Sequence, residues 1–304
     1  METLIITGAA GFVGQNVTQE LKKHYKIIAI DKHKENLELL QTLNPEIKTI
    51  NTDLSKKGSW EKEFEKADYV LQLHAQIASQ EKKPFVNNNV KATKNVIEAS
   101  KKIKYTIHFS SAAVVSIRKD DYAETKEKGE ELIKNSKLKY SAIRPSMMYG
   151  CFDNKNVGWL LNFLKKTPIF PIVGTGKYPR QPVYIKDITN IILKLLEKQP
   201  KNKIYSINGD PIDFIDMVKE MMKASKRKRI LIKLPIGLFI FLMKTYNFIF
   251  RKVEFTEDQV KSLTTGETFG MEPWWDELKI KKTSFKEGLE DMVQDENFKY
   301  ILKR

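Results

Sequence analysis

Between an apolar run, Leu4–Thr7, and an amphipathic stretch beginning at Phe12 lies Thr7-Gly8-Ala9-Ala10-Gly11-Phe12-Val13-Gly14. A strand that turns on glycine straight into a helix leaves few folds open. Gly8 permits the tight turn, Gly11 lets a pyrophosphate approach the backbone, and Gly14 allows the helix to pack close to the sheet. The helix start at Phe12 and Val13 then offers an anion N–H groups that have no intrahelical partner. Glycines at this spacing also occur by chance, so their meaning depends on the segments downstream.

Those segments alternate. Leu4–Thr7, Lys26–Ile30, Thr49–Ile50, Asp68–Leu73, Tyr105–Phe109 and Tyr140–Ile143 read as strands. Phe12–His24, Lys34–Leu43, Trp60–Lys66, Asn88–Lys102 and Tyr122–Lys134 read as the helices between them. The alternation predicts βαβ units and a Rossmann-type α/β fold, a doubly wound parallel sheet covered on both faces. Beyond Gly150 the pattern loosens around Pro168, Pro171, Pro179 and Pro182, with Ile204–Ile207 as a late strand. We expect a nucleotide-binding domain at 1–165, joined again by about 177–210. Residues 166–176 and 211–304 are then a smaller substrate-binding lobe over the strand C-termini.

Within this frame, Asp31 ends the second strand, where a carboxylate can bond the ribose hydroxyls of a dinucleotide. It would repel a 2′-phosphate, which favours NAD over NADP, although Lys32 and His33 soften the choice. A turn or helix-cap role for Asp31 is the alternative. Asp53-Leu54, after the third strand, can meet the adenine. Ser110-Ser111 closes the fifth strand, where the nicotinamide would lie and a hydroxyl could bond a substrate oxygen; strand-end capping is the plainer role for either serine. Downstream, Tyr122 and Lys126 are four apart on one helix face. A phenol ordinarily titrates near about 10, and a neighbouring ammonium favours tyrosinate, so Lys126 is expected to pull Tyr122 down toward a usable base. Lys126 would also bond the nicotinamide ribose.

Charge and apolar patterning bear on partners. Against 38 Asp and Glu stand 53 Lys and Arg, a net charge of +15 in 304 residues. That excess could attract diphosphates, lipids or nucleic acid, but a solvated Lys-rich surface is the simpler reading. No nucleic-acid module motif is present, and no nucleic-acid partner or metal site is expected. The single cysteine, Cys151, excludes an intramolecular disulfide and suits a reducing cytoplasm. The N-terminus is already strand and turn, so no signal peptide is expected. Leu234–Met243 is uniformly apolar, Tyr246–Phe250 extends it, and Lys226–Arg229 and Arg251-Lys252 flank it. The run is shorter than the ~20 residues a span needs. Residues 234–250 therefore read as a buried helix of the small lobe, a dimer contact, or an interfacial helix on an anionic cytoplasmic leaflet.

Taken in order, several features carry a resemblance: the glycine turn, Asp31, Asp53-Leu54, Leu73–Ala75 with Gln76, and Asn89-Val90 with Thr93. Phe109–Ala112, Tyr122/Lys126, Arg144-Pro145, Tyr149-Gly150, Gly174–Gly176, Arg180–Ile185 with Asp187, and Ser284–Leu289 continue it. Together they resemble the nucleotide-sugar epimerase/dehydratase family of extended short-chain dehydrogenases/reductases over nearly the whole chain. The resemblance implies NAD as cofactor, with Leu73, Ala75, Asn89, Ser110 and Pro145 in its site. It makes Tyr122 the acid/base, Lys126 its modulator and Ser111 the substrate-side hydroxyl. Arg180 would grip a sugar diphosphate in bidentate fashion, and Met147 stands where many relatives place a substrate-binding Asn. A homodimer is implied as well.

The departures shape the expected reaction. Gln72 and His74 stand where the family usually has His and Ala, so His74 is either a pocket variation or structural. The connection from Ser111 to Tyr122 is short, with Val115-Ser116 for the usual Tyr-Gly, which removes a pocket wall. Ala112-Ala113 replaces the Asp-Glu that dehydration needs. The predicted activity is NAD-dependent 4-epimerisation of a nucleotide sugar or polyprenyl-diphosphate sugar through a 4-keto intermediate, in surface-polysaccharide or glycoconjugate synthesis. An NAD(P)-dependent 4-keto-sugar reductase is one alternative. Another is a non-catalytic subunit similar to the dehydrogenase-like subunit of respiratory complex I, which the intact Ser111/Tyr122/Lys126 set argues against. The expected place is the cytoplasm, at the inner membrane face if 234–250 rests there.

Overall fold

The computed structural model describes residues 1–117, 119–250, 264–270 and 273–300, with side chains of the 236–250 helix described through 246. The main sheet takes β1 (Thr3–Thr7), β2 (Lys26–Asp31), β3 (Lys48–Asn51), β4 (Tyr69–Gln72), β5 (Tyr105–Phe109), β6 (Tyr140–Pro145) and a late strand, Lys203–Ile207. Its spatial order is the late strand, β6, β5, β4, β1, β2, β3. Every pairing in it is parallel. The order reverses between β4 and β1, the switch point outside which open α/β sheets bind ligands.

The strands form because both faces of the sheet are covered, which calls for continuous apolar runs. Along β1, Leu4 and Ile6 pack on one face with Val17, Leu21, Ile188 and Ile192. Ile5, between them, faces the opposite core with Trp60, Phe64, Val70 and Val96. All three are fully buried, so truncating any one to Ala should cost about 2–5 kcal/mol. The helices covering the sheet include α1 (Phe12–Leu21), α2 (Lys34–Leu43), α3 (Glu61–Phe64), α4 (Lys82–Phe85), α5 (Ala92–Ala99) and α6 (Asp121–Lys134). Several boundaries differ from expectation by a few residues, two of them notably. α1 stops at Leu21, and the helix expected from Asn88 opens as a π-helical turn, Val86–Lys91, before α5. There Asn88 Nδ2 and Thr93 Oγ1 bond the carbonyls of Pro84 and Asn89, four residues back in each case, the side-chain competition that loosens helical geometry.

Beyond β6 the described residues make three short ribbons. Met148–Tyr149 pairs with Val183–Tyr184, Pro179–Arg180 with Ile212–Asp213, and Ile169–Val173 with Ile230–Leu234. The last described α-helix, Phe285–Gln294, starts with a Ser284/Glu287 capping box. Phe285 meets Tyr149 at 5.1 Å between ring centroids, and Tyr149 meets Tyr184 at 5.2 Å. Of the apolar run's basic flank, Arg251-Lys252 lies outside the described residues.

Candidate active site

The glycine turn backs onto the chain as it leaves β4. Gly8 has φ +69°, and a Cβ there would stand 2.5 Å from the His74 backbone nitrogen. A Cβ on Gly11 would lie 3.3 Å from the Gly8 carbonyl oxygen. On Gly14 it would lie 2.2 Å from the Ala9 carbonyl oxygen, so Gly14 lets the helix close on the turn; the expected contact was with the sheet. α1 begins without a side-chain cap. Asp31 is buried and accepts one bond on each oxygen, from Ala10 N and His33 N, both at 2.9 Å. It is therefore a turn residue, yet each oxygen retains a lone pair for a ribose hydroxyl. A tight turn with no room for a Cβ at Gly8 or Gly14, an uncapped helix start and a carboxylate at the end of β2 fit a dinucleotide.

Asp53 accepts from Ser55 N at 2.9 Å. Burial pushes its carboxyl up, but bonds from Ser55 and the charges of Lys32 and Lys56 hold it below the usual carboxylate range. Leu54 is buried, and its carbonyl accepts from Asn95 Nδ2 at 2.9 Å. Leu73 continues β4 by donating its N–H to Thr7 O at 2.9 Å, and Ala75 is exposed. Pro145 is buried at the end of β6 opposite Ile207.

Two expected cofactor residues face elsewhere. Asn89 is 2% exposed; its Oδ1 accepts from Gln76 N at 2.7 Å while Nδ2 donates to Gln76 O and Thr125 Oγ1. Its amide is fully engaged in holding the 75–76 backbone against α6. Ser110 is buried and donates to Glu130 Oε2 at 2.8 Å. The Ser110 hydroxyl is thus committed to a buried carboxylate.

His74 is structural. Its Nδ1 lies 2.7 Å from Thr7 Oγ1 and its Nε2 3.2 Å from Thr93 Oγ1. Thr93 donates its hydroxyl to Asn89 O at 2.8 Å, so it must accept from Nε2–H, which leaves Nδ1 to accept from Thr7. Burial, aided by the Lys126 charge, brings the imidazole pKa down to about 3. The ring is a neutral brace between the ends of β1 and α5. Gln72, likewise, bonds the buried His108 Nδ1 at 2.9 Å.

Ser111, Tyr122 and Lys126 converge at the end of β5. Ser111 Oγ accepts from Ala113 N at 3.2 Å, capping a 3-10 turn at Ala112–Val115, and its hydroxyl is near enough to the Tyr122 phenol to favour tyrosinate. Asp120 caps α6 by accepting from Ala123 N at 2.9 Å, which fixes where the helix presents Tyr122. One turn on, the Lys126 ammonium donates to the Phe109 carbonyl. The expected acidification of Tyr122 is not found. Burial raises its phenol above the usual value, the nearby Ser111 hydroxyl only partly opposes this, and Asp120 adds to it. Lys126 is not among the influences on Tyr122; burial lowers its own pKa to about 8, partly opposed by Glu130. Desolvation is the largest influence on each of the two groups.

Glu130 was not anticipated, although it lies one helical turn past Lys126 and faces Arg144, a charge inside the β6 run. It accepts from Arg144 Nε at 2.9 Å and Nη2 at 2.5 Å, from Lys134 at 2.8 Å and from Ser110. Burial pushes its carboxyl up, but these bonds prevail and hold it at about 2. Glu267 was missed too. Its carboxylate accepts from Ser116 Oγ at 2.5 Å and Ile117 N at 2.9 Å, in the short connection between Ser111 and Tyr122. The same segment is tied by Gln181 to both backbone groups of Phe269, at 2.6 and 3.1 Å, and by Asn208 to Gly270 at 2.7 Å. A strap thus links that connection to the strand of Arg180. Arg180 is half-buried, donates Nη1 to Pro179 O at 2.9 Å, and has its pKa lowered by burial. Met147 is half-buried against the core, its carbonyl accepting from Val183 N at 2.8 Å.

A doubly wound dinucleotide fold with Ser, Tyr and Lys gathered at the end of its fifth strand defines the class. Residues 4–208, more than half of the chain, match the NAD-dependent epimerase/dehydratase family, and the chain belongs to it. It is 26% identical over 272 residues to dTDP-D-glucose 4,6-dehydratase of Dictyostelium discoideum, covering 74% of this chain but only 62% of that relative. It is 22% identical to a mitochondrial NADH dehydrogenase subunit, 1 alpha subcomplex subunit 9 of Arabidopsis thaliana, covering 86% of this chain and 69% of that one. It is 24% identical to N-acetyl-alpha-D-glucosaminyl-diphospho-ditrans,octacis-undecaprenol 4-epimerase of Escherichia coli O157:H7, covering 78% and 76%. Among solved structures, UDP-glucuronic acid 4-epimerase of Bacillus cereus, crystallised with NAD, superposes with a TM-score of 0.73 over 95% of this chain and 96% of that one, at 21% identity.

Proposed function

We propose that the protein is an NAD-dependent sugar 4-epimerase acting on a sugar diphosphate carried by a nucleotide or a polyprenol. The observation that carries this is the gathering of Ser111, Tyr122 and Lys126 at the end of β5, Ser111 capping the turn after the strand and Lys126 anchored on Phe109 O. Gly8, Gly11, Phe12, Val13, Gly14 and Asp31 would hold the dinucleotide, with Asp53, Leu54, Leu73, Ala75 and Pro145 around it. NAD, when bound, supplies the acceptor and later the donor of hydride at the sugar carbon. Tyr122 takes the proton of the C4 hydroxyl as the carbonyl forms, and returns it to the other epimer. Ser111 donates to the same oxygen, and the Lys126 ammonium supplies positive charge to offset the tyrosinate as it forms. Arg180 would hold the diphosphate, and Met147 would line the sugar site. The lobe that binds it would be 166–176 and 211–304, and the working unit a homodimer.

Dehydration is disfavoured because Ala112 and Ala113, in the turn after Ser111, carry no proton-transferring group. The relationship to a respiratory-complex subunit favours a second reading, a nucleotide-binding subunit without turnover. One variant separates the two. Tyr122→Phe should retain nucleotide binding and lose about a thousandfold in epimerisation of UDP- or polyprenyl-diphosphate sugars. A Phe variant as active as the parent overturns the mechanism.

A further inference from the structure

The helix Ile236–Phe250 is apolar almost all round, yet only part of it packs on the protein. Phe239, Ile240 and Met243 are half-buried. Leu238, Phe241 and Leu242 are 45%, 65% and 48% exposed, and Tyr246 is also exposed. These positions, three and four apart, run down one helix face. A helix face turned to water ordinarily carries polar side chains. The strand leading into it leaves Ile230 and Ile232 exposed, beside the exposed Ile169 of its partner strand. From Ala224 to Phe250 the chain holds six Lys or Arg and no Asp or Glu. Lys226, Arg227, Lys228 and Lys233 are exposed and form no ion pair among the described residues.

We infer that this face docks on an anionic phospholipid bilayer, with the helix lying in the interface. Leu238, Phe241 and Leu242 enter the boundary between headgroups and acyl chains, and the basic residues meet the anionic headgroups. Charge selects this occupant. A second copy would bring two uncompensated basic clusters face to face. A nucleic acid would satisfy the cations but leave Leu238 and Leu242 in water. No helix among the described residues is long and apolar enough to cross a membrane, so the geometry is that of lying on the surface. The inference rests on this surface and not on the catalytic reading, so either can fail alone.

Co-sedimentation of the full chain with vesicles tests it. The protein should pellet with vesicles containing phosphatidylglycerol and stay in solution with phosphatidylcholine alone. Raising the salt should release it, because exposed charges are screened. A Leu238→Ser/Phe241→Ser/Leu242→Ser variant should bind at least about tenfold more weakly. Lys226→Gln/Arg227→Gln/Lys228→Gln should do the same, each charge near the surface being worth about fivefold. Should the apolar triple variant not fold, Phe241→Trp, whose fluorescence acyl-brominated lipids should quench, gives an independent reading. Failure to pellet with anionic vesicles, undiminished binding by the folded triple variant, or indole fluorescence that brominated lipids leave unquenched overturns the inference. So does a wild-type dimer that the apolar variant converts to monomer, which would assign the face to a second copy.

Discussion

At the scale of single residues, the site is organised by burial as much as by charge. Lys126 is set beneath the site by the Phe109 carbonyl, and one turn on Glu130 gathers Ser110, Arg144 and Lys134. Glu130 titrates at about 2 in the fold against 4.5 ordinarily. A depressed carboxyl contributes stability fully above the unfolded value, and that contribution is lost as pH falls from 4.5 toward 2. Glu130→Gln should therefore lower stability near neutrality by about 3 kcal/mol, because Arg144 loses its buried partner. It should also flatten the acid slope below pH 4.5. Urea melts across that range check both, and an unchanged slope would contradict the assignment. Sequence reading singled out Ser111, Tyr122 and Lys126 near the end of β5, but gave no sign that the Asn89 and Ser110 side chains are taken up by other protein groups. A motif gives position along the chain, whereas competing buried partners, the Glu130 carboxylate for Ser110 and the Gln76 backbone for Asn89, take up the side chain.

At the scale of elements, the turn between β1 and α1 was the most legible part, because glycine is required there for reasons of space. Gly8→Ala combines a left-handed backbone with a Cβ 2.5 Å from the His74 backbone. Strain of about 1–2 kcal/mol from the backbone alone should come with a displaced β4 end and loss of NAD affinity, measured by titration calorimetry. Unaltered affinity would show that the turn does not hold the cofactor. The strap through Glu267 was illegible, since its bonds to Ser116 and Ile117 join residues about 150 apart with no periodic signal between them. It restores a tie across the connection whose shortness was expected to remove a wall of the pocket. Glu267→Ala should raise KM about tenfold with kcat nearly unchanged, the mark of lost uniform binding, and should speed amide exchange at Ile117. Equal losses in both constants would place Glu267 in the chemical step instead.

At the scale of the whole molecule, strand alternation predicted the seven-stranded parallel sheet, because double coverage imposes apolar runs that can be seen without a structure. The second half was harder to read. Its ribbons include strands of two residues, such as Pro179–Arg180 and Ile212–Asp213, too short for any period to show. Sheet, turn and Ser–Tyr–Lys set together support one central claim, that hydride leaves a sugar C4 and returns to the same carbon. The most direct test is a UDP-sugar or polyprenyl-diphosphate sugar carrying deuterium at C4, with the product followed by NMR and mass spectrometry. The account predicts the C4 epimer with the deuterium still at C4. Product that has lost the label to free nucleotide, or a purified protein that binds NAD and turns over neither sugar, would contradict it.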